Sequence, residues 1–308
     1  MEHCGAAPEH YRFDQMKHNI ILSLWLALLV WTPDSMPAST QPDKYKVEEN
    51  IEFTQSPVSL HMDAHIPPGR GPFPAVILVH GGGWTAGSKT ANFLVPLFDP
   101  LTRTGYAWFT IDYRLAPQYP YPAAVQDVES AIAFVKKHAG EYKVDGKKIA
   151  LMGESAGAHL VNLVGARNRP PAQVAAVVSF YGPIDMVEFC KRFQGKPVSK
   201  GLADFFQITE WNDAATAKLR EASPATYLSR KTPPFLFIHG TKDEAVPYGQ
   251  AKLAVDLFKK AGIPCDLITV QDGIHGVINW EKETKFQAYK ELMIDWLHKH
   301  LGRGAPAS

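Results

Sequence analysis

The chain has 308 residues, of which 45% are hydrophobic and 20% are charged, as in an ordinary globular protein. Its 32 basic and 31 acidic side chains nearly balance, and no basic run is interleaved with aromatic residues, which argues against nucleic acid as a partner. The length permits one large α/β domain, or two small ones, with a sheet buried on both faces.

The first 40 residues form a separate region. Lys17 and His18 precede an uncharged run, IILSLWLALLVW (20–31), which a polar stretch with small residues follows. This pattern predicts a secretory signal peptide, and the run is short for a membrane span, although an uncleaved anchor is the alternative. We therefore expect a secreted or periplasmic protein without stable membrane association. Met16 is an alternative start, because residues 1–15 resemble neither a signal nor a folded segment.

A single folded domain is expected over residues 41–303, followed by a tail at 304–308. It begins with two alternating polar and apolar runs, YKVEENIEF (45–53) and VSLHMDAHIP (58–67), which predict an antiparallel pair with one wet face. Continuous apolar runs follow, which predict parallel strands covered on both faces. These runs are PAVILVH (74–80), AWFTID (107–112), KIALMG (148–153), VAAVVSFYG (174–182), PFLFIHG (234–240) and CDLITV (265–270).

Helical patterns alternate with these strands. Apolar residues recur at helical spacing over 123–138, a second helix ends before Gly262, and a third covers 286–301. The alternation predicts an α/β fold with a doubly wound, mostly parallel sheet of about eight strands and helices on both faces. Residues 185–231 are too many for an ordinary connection and contain several aromatic residues, which predicts a small lid or pocket wall, with a plain helical crossover as the alternative.

A glycine-flanked serine marks the candidate chemistry. GESAG (153–157) follows a predicted strand and precedes a predicted helix, and this is the context of a nucleophile elbow. Gly153 and Gly157 leave room for the tight turn that projects the Ser155 hydroxyl. The helix that follows directs its N-terminal N–H groups to the same place.

A second glycine-rich stretch, HGGGWTAGS (80–88), follows the strand that ends at 79. The N–H groups of Gly82, Gly83 and Ala156 are the predicted oxyanion donors. Phosphate binding is disfavoured because no Gly-Lys-Ser/Thr follows at P-loop spacing. His80 is interpreted as a structural residue at a strand end. Trp84 is interpreted either as a wall of the acyl site or as a packing residue beneath the loop.

A serine nucleophile needs a base and an acid that orients the base. His275 follows the last strand in a glycine-flanked loop, and Asp243 follows the strand before it, so the chain order is serine, aspartate, histidine. Asp185 is the next choice for the acid, ahead of Glu244 and Asp272. The other histidines lie on helices or strand ends that favour packing, namely His159, His239, His298 and His300.

The cysteine content and the histidine spacing indicate neither a disulfide framework nor a metal site. Cys190 and Cys265 are too few for a disulfide framework and could pair or stay free. No cysteine or histidine cluster has zinc-ligand spacing, so no structural metal is expected.

The ordered motifs resemble the α/β-hydrolase superfamily, and more narrowly its hormone-sensitive-lipase-like and feruloyl/acetyl esterase groups. The resemblance implies an α/β-hydrolase fold, no cofactor and a two-step acyl-enzyme mechanism. It also implies that Asp112, Arg114 and Asp127 hold the framework and are not catalytic. The position of the insertion favours the feruloyl/acetyl group and an open site. The resemblance rests on HGGGW (80–84), DYRLAP (112–117), PAAVQDV (122–128), GESAG (153–157), GTKDEAVP (240–247) and GIHGV (273–277).

These observations predict a secreted serine carboxylesterase with the triad Ser155, His275 and Asp243, acting on short-chain or aromatic acyl esters. Acetyl or feruloyl esters of plant polysaccharide are the expected substrate class. One alternative is an amide-cleaving serine hydrolase of the arylformamidase or peptidase type. Another is a non-catalytic binding protein on the same fold, which the intact triad disfavours.

Overall fold

The computed structural model of the protein describes residues 45–55 and 57–304. The predicted signal region at 1–40 and all but the first residue of the predicted tail lie outside the described residues. Within them, Cys190 and Cys265 are not bonded to each other. No helix in this part of the chain has the length and apolar character needed to cross a bilayer.

Eight strands form one sheet in the order β1-β2-β4-β3-β5-β6-β7-β8. The strands from β3 onward pair in parallel, whereas β2 runs antiparallel to both β1 and β4. This arrangement confirms the predicted doubly wound, mostly parallel sheet. The strands are β1 (Lys46–Thr54), β2 (Leu60–Ile66), β3 (Phe73–Val79), β4 (Ala107–Ile111), β5 (Val144–Glu154), β6 (Ala176–Phe180), β7 (Phe235–Gly240) and β8 (Cys265–Val270).

Helices cover both faces of the sheet. The helices are α1 (Val95–Arg103), α2 (Ala123–Lys137), α3 (Ala156–Arg167), α4 (Met186–Cys190), α5 (Lys200–Phe206), α6 (Asp213–Glu221), α7 (Gly249–Ala261), α8 (Val277–Trp280) and α9 (Tyr289–Leu301). Helices α2, α3 and α7 pack on the face that carries Ile77, and α1, α8 and α9 pack on the face that carries Val76 and Leu78. Because neighbouring strand residues point to opposite faces, both layers bury apolar side chains, and the strands read as continuous apolar runs.

The predicted wet face of the antiparallel pair is found on β1 but not on β2. Strand β1 is an edge strand and is mostly exposed, whereas β2 lies between β1 and β4 and is largely buried. Asp63 occupies the second face of β2, where the buried Lys89 ammonium lies 2.7 Å from its carboxylate oxygens. His65 on the same face stacks against Trp108 at 3.5 Å between ring centroids. The polar residues Asp63 and His65 of this strand are therefore paired or stacked with other side chains and are not there because the strand faces solvent.

The long insertion after β6 contains α4, α5 and α6 and packs on the same side as α2 and α3. Its α5 reaches the glycine-rich loop, since the Phe205 ring stacks on Trp84 at 4.8 Å and 8°. The backbone oxygen of Phe205 also accepts a hydrogen bond from the Tyr121 N–H at 2.8 Å. The insertion thus braces the loop that follows β3.

Candidate active site

Ser155 lies in a strained turn between β5 and α3. Its backbone has φ 53° and ψ −117°, a conformation that a residue with a side chain adopts only where its surroundings impose it. A Cβ on Gly153 would stand 2.5 Å from the Gly157 oxygen, and one on Gly157 would stand 2.2 Å from the Val79 oxygen. Both flanking glycines are therefore needed because the first turn of α3 presses against β5 and β3, and this packing fixes where the serine hydroxyl points.

The three predicted triad residues meet at the carboxyl end of the sheet. His275 Nε2 lies 3.0 Å from Ser155 Oγ, and His275 Nδ1 lies 2.7 Å from Asp243 Oδ2. Because an ionised carboxylate only accepts hydrogen bonds, Nδ1 carries the proton and Nε2 is left to accept the serine proton. The three side chains have the geometry of a nucleophile, a base and an orienting acid.

Asp243 is held as an anion beneath His275. Burial alone would raise its pKa, but the hydrogen bonds of His239 and His275 outweigh burial and hold the pKa of Asp243 at about 2. Its other oxygen accepts from the Val246 N–H at 2.8 Å. The carboxylate is therefore available at neutral pH to stabilise a positive charge on His275.

The rival residues make other contacts. Asp185 caps α4, where its Oδ1 accepts from the N–H groups of Val187 and Glu188. His159 and His239 are buried and lie 2.8 Å from backbone oxygens of Ala222 and Val246. His80 stacks on a tyrosine ring with centroids 4.2 Å apart, as the structural interpretation of this residue predicts.

The glycine-rich loop presents backbone N–H groups beside the turn. Gly82 and Gly83 have φ values of 100° and 62°, and a Cβ on Gly82 would stand 2.1 Å from the Ala86 oxygen. Within the described part of the chain, neither of these two N–H groups donates to a protein acceptor. Ala156 is the first residue of α3, so the helix offers its N–H no partner. The arrangement leaves these three donors available to an anion, and their role as an oxyanion hole stays a prediction.

Buried charges anchor this loop to the sheet. The Lys89 ammonium lies 2.7 Å from Asp63, and the Lys89 N–H donates to Asp112 at 2.8 Å. On the neighbouring connection, Arg114 Nε donates to Asp127 at 2.9 Å, and the Arg114 N–H donates to the same carboxylate at 2.8 Å. These contacts agree with the framework role that the resemblance implies for Asp112, Arg114 and Asp127.

Trp84 lies beneath the loop in an aromatic cluster. Its side chain is buried, stacks on Phe205 and meets Phe206 and His159 edge-on. The ring joins the loop to the insertion, as in the packing interpretation of this residue. A direct contact of Trp84 with substrate stays a prediction.

The triad opens to solvent and is separate from a cavity of about 450 Å³. The side chain of His275 is 28% exposed, in keeping with the expected open site. The cavity is lined by Arg167, the last residue of α3, whereas Ser155 immediately precedes that helix. The two ends of a 12-residue helix lie about 18 Å apart, so the cavity is not where the triad would bind substrate.

Two residues of the site were missed by the sequence analysis. Glu154 is buried beside Ser155, and its Oε1 accepts from the Gly81 N–H at 2.6 Å. Tyr181 is buried after β6, and its ring lies 4.6 Å from that of His275. A charged residue at the end of an apolar strand was the only signal for Glu154, and nothing in the sequence distinguishes Tyr181 from a core residue.

Across the described ranges, no group of three or more acidic, cysteine or histidine side chains could hold a metal ion.

Proteins of known structure share the architecture of this chain. A "Truncated form of carbohydrate esterase from gut microbiota" superposes with a TM-score of 0.74 at 22% identity, covering 84% of this chain and 98% of that one. An "acetyl ester-xyloside bifunctional hydrolase from Caldicellulosiruptor lactoaceticus" gives a TM-score of 0.69 at 22% identity, covering 85% and 98%. Together with the strand order and the elbow turn, these likenesses show an α/β-hydrolase fold, as predicted.

The chain belongs to the BD-FAE family, whose model matches residues 62–258. That match includes Ser155 and Asp243 and ends before His275. Probable carboxylic ester hydrolase LipM of Mycobacterium tuberculosis (strain ATCC 25618 / H37Rv) is 32% identical over 200 residues, which are 62% of this chain and 46% of the relative. The chain spans about half the length of the curated relatives it matches first.

Proposed function

We propose that this protein is a serine carboxylic ester hydrolase that works through an acyl-enzyme. The observation that carries the proposal is the continuous contact from Asp243 through His275 to Ser155, with distances of 2.7 and 3.0 Å. Membership of the BD-FAE family and similarity to a probable carboxylic ester hydrolase support it.

In the first half-reaction, Ser155 Oγ attacks the ester carbonyl carbon as its proton passes to His275 Nε2. The carbonyl oxygen becomes an anion, which Gly82, Gly83 and Ala156 N–H groups would stabilise, and losing one such donor typically slows the reaction by about 10²- to 10³-fold. When the tetrahedral intermediate collapses, the bond to the alcohol oxygen breaks and His275 gives that oxygen its proton. The products of this half-reaction are the free alcohol and an ester on Ser155.

In the second half-reaction, water takes the place of the alcohol. His275 removes a proton from the water molecule as the water oxygen attacks the acyl carbon. When the bond between the acyl carbon and Ser155 Oγ breaks, His275 returns the proton to Ser155 Oγ and the carboxylic acid leaves. Asp243 holds the imidazole ring in one orientation and stabilises its positive charge in both half-reactions. No oxidant, metal or cofactor enters this sequence of steps.

We propose short acyl or aromatic acyl esters as substrates, with acetyl or feruloyl esters of plant polysaccharide as the natural class. The open triad supports a substrate whose alcohol is large, because 28% of the His275 side chain remains exposed. Two proteins of similar fold are described as a carbohydrate esterase and an acetyl ester-xyloside hydrolase. We also propose that residues 1–40 direct export of the protein, which N-terminal sequencing of the native protein would test.

The test is a substrate panel on purified protein. It compares p-nitrophenyl esters from acetate to palmitate, methyl ferulate and acetylated xylan with an acyl p-nitroanilide and an aryl formamide. Ser155→Ala is the loss-of-function variant, and Ser130→Ala on the exposed side of α2 is the matched control. We expect turnover of short esters and ferulate in the wild type and in Ser130→Ala only.

Three results would contradict the proposal. Activity that survives in Ser155→Ala would remove the assignment of the nucleophile. Faster cleavage of the anilide or formamide than of any ester would favour an amide-cleaving hydrolase. Binding of an ester without turnover would favour a binding protein on this fold.

A further inference from the structure

A buried carboxylate stands behind the proposed nucleophile. Glu154 is the last residue of β5, is 4% exposed, and accepts the Gly81 N–H at 2.6 Å. A Cβ on Gly81 would stand 2.0 Å from Glu154 Oε1, so the glycine at this position is what admits the carboxylate. The contact joins the loop with the proposed oxyanion donors to the residue immediately before Ser155.

Tyr181 connects the same carboxylate to the histidine loop. Its hydroxyl accepts from the Val277 N–H at 2.9 Å, and burial first and the charge of Glu154 second raise the pKa of this phenol. Val277 begins α8, two residues after His275, and the Tyr181 ring meets the His275 ring at 61°. Tyr181 has φ 41°, so its backbone is held in a conformation that non-glycine residues rarely adopt. One phenol therefore contacts the loop that carries the base and lies within the electrostatic influence of the Glu154 carboxylate.

We propose that Glu154 is a positioning residue that ties the oxyanion loop to the His275 loop through Tyr181, and that its negative charge favours the protonated imidazole formed during catalysis. The proposal rests on the proposed function. It assigns to Glu154 a task that the triad does not cover, since Asp243 holds His275 only from the Nδ1 side. The acidic residue before the nucleophile would thus fix the oxyanion loop and the His275 loop relative to each other.

Burial dominates the ionisation of Glu154 and raises its pKa above the usual range, and the polar neighbours offset only part of that rise. The neighbours that lower the pKa are the charge of His275 and the donors from Gly81 and Tyr181. The Tyr113 hydroxyl donates to the His80 oxygen at 3.0 Å, and burial first and the charge of Glu154 second raise the pKa of this phenol. An ionised carboxylate can accept hydrogen bonds at both oxygens, and Oε1 accepts one from the Gly81 N–H, whereas a neutral acid must use one oxygen as a donor.

The charge around His275 comes from two sides. Asp243 faces Nδ1, with His239 behind it at 3.4 Å, and Glu154, the residue before Ser155, is close enough for its charge to interact with that of His275. Tyr181 is uncharged at neutral pH because burial raises its pKa well above the usual range. Removal of the Glu154 charge therefore leaves Asp243 as the carboxylate that stabilises an imidazolium at this site.

The test uses Glu154→Gln, which keeps the size and one acceptor oxygen but removes the charge. We expect kcat for p-nitrophenyl acetate to fall about ten-fold or more with a smaller change in KM, because a hydrogen-bonded charge is lost. The acidic limb of the kcat/KM profile should move to lower pH by about half a unit or more, since a nearby negative charge no longer favours protonation of the base.

Glu129→Gln is the matched control, because burial raises the pKa of this carboxylate as it does that of Glu154, but Glu129 is only half-buried and lies on α2 beside Arg167. We expect its acidic limb to match that of the wild type. Tyr181→Phe removes only the hydroxyl, and it should lower kcat in the same sense. If the two residues act as a unit, Glu154→Gln in the Tyr181→Phe background should cost less than it does alone.

The rate of inactivation by a fluorophosphonate, measured against pH, gives a readout that needs no ester substrate. A wild type that is inactivated but cleaves no ester would overturn the proposed function, and the shift of the acidic limb in Glu154→Gln would still support the positioning role. An unmoved limb in a folded Glu154→Gln, with only a lower Tm, would overturn the inference. If Glu154→Gln does not fold, Tyr181→Phe decides the matter: an inactivation rate and an acidic limb equal to those of the wild type would overturn the inference. A wild type that does not react with the reagent would overturn both.

Discussion

Acidification should destabilise the protein through its buried histidines, and His159 gives the sharpest test. This residue is fully buried on α3, with Nε2 2.8 Å from the Ala222 oxygen, and burial lowers the pKa of His159 to about 4 from the usual 6.5. Between these two values the unfolded chain binds a proton that the folded chain does not. The free energy of unfolding is therefore intact above pH 6.5 and falls as the pH drops toward 4.

The two pKa values give a loss of about 2 kcal/mol from His159 when the pH falls from 7 to 5. His80, whose pKa burial also lowers to about 4, should contribute a similar amount. Asp243 does not contribute over this range, because its pKa of about 2 places its loss of stability below pH 4. The interval from pH 7 to 5 thus reports mainly on histidine burial.

The assay is urea unfolding of wild type and His159→Gln at pH 7 and pH 5. The variant should lose about 2 kcal/mol less than the wild type between the two pH values, whatever its stability at pH 7. His138→Gln, at a partly exposed site after α2, is the control and should behave as the wild type. An equal loss in His159→Gln and wild type would refute the reasoning.

Three further predictions concern the framework of the site. Gly157→Ala should abolish activity and lower Tm, because the new Cβ would stand 2.2 Å from a backbone oxygen of β3; an active, stable variant would contradict the close packing of the elbow. Lys89→Met should lower the free energy of unfolding in urea by about 3–5 kcal/mol, because it leaves Asp63 charged and buried without a partner. Adding Asp63→Asn should restore part of this loss of stability, and the absence of any restoration would argue against a buried charge as the cause. Phe205→Ala should lower the free energy of unfolding by about 3–5 kcal/mol, and it should lower kcat because the loop at Trp84 loses its stacking partner. A loss of stability with unchanged kcat would show that the insertion does not support that loop.

The parallel strands and the meeting of the three candidate catalytic side chains could be predicted from the sequence because each leaves a local pattern. A strand buried on both faces reads as a continuous apolar run, as in β3 and β7, where all residues are buried. Likewise, Ser155 is marked by its flanking glycines, and His275 and Asp243 by their places after the last two strands. The structure joins these three side chains by hydrogen bonds.

Other features depend on contacts between distant segments and left no local pattern. Helix α1 contains Pro96 and Pro100, which obscure a helical pattern, and its apolar residues are recognisable only against α9. The burial of Asp63 requires Lys89, 26 residues later, so an isolated reading of β2 placed this face in solvent. The two possible roles of Trp84 could not be separated in the sequence, because the ring with which it stacks comes from the insertion.

The central claim is that Ser155 is a nucleophile activated by His275, and covalent labelling tests it most directly. The protein would be reacted with a fluorophosphonate, digested and mapped by mass spectrometry, beside His275→Ala and the control His138→Ala. We predict one adduct per chain, on Ser155, in the wild type and the control, and a rate lower by several orders of magnitude in His275→Ala. An adduct on another residue, or equal labelling of His275→Ala, would contradict the account.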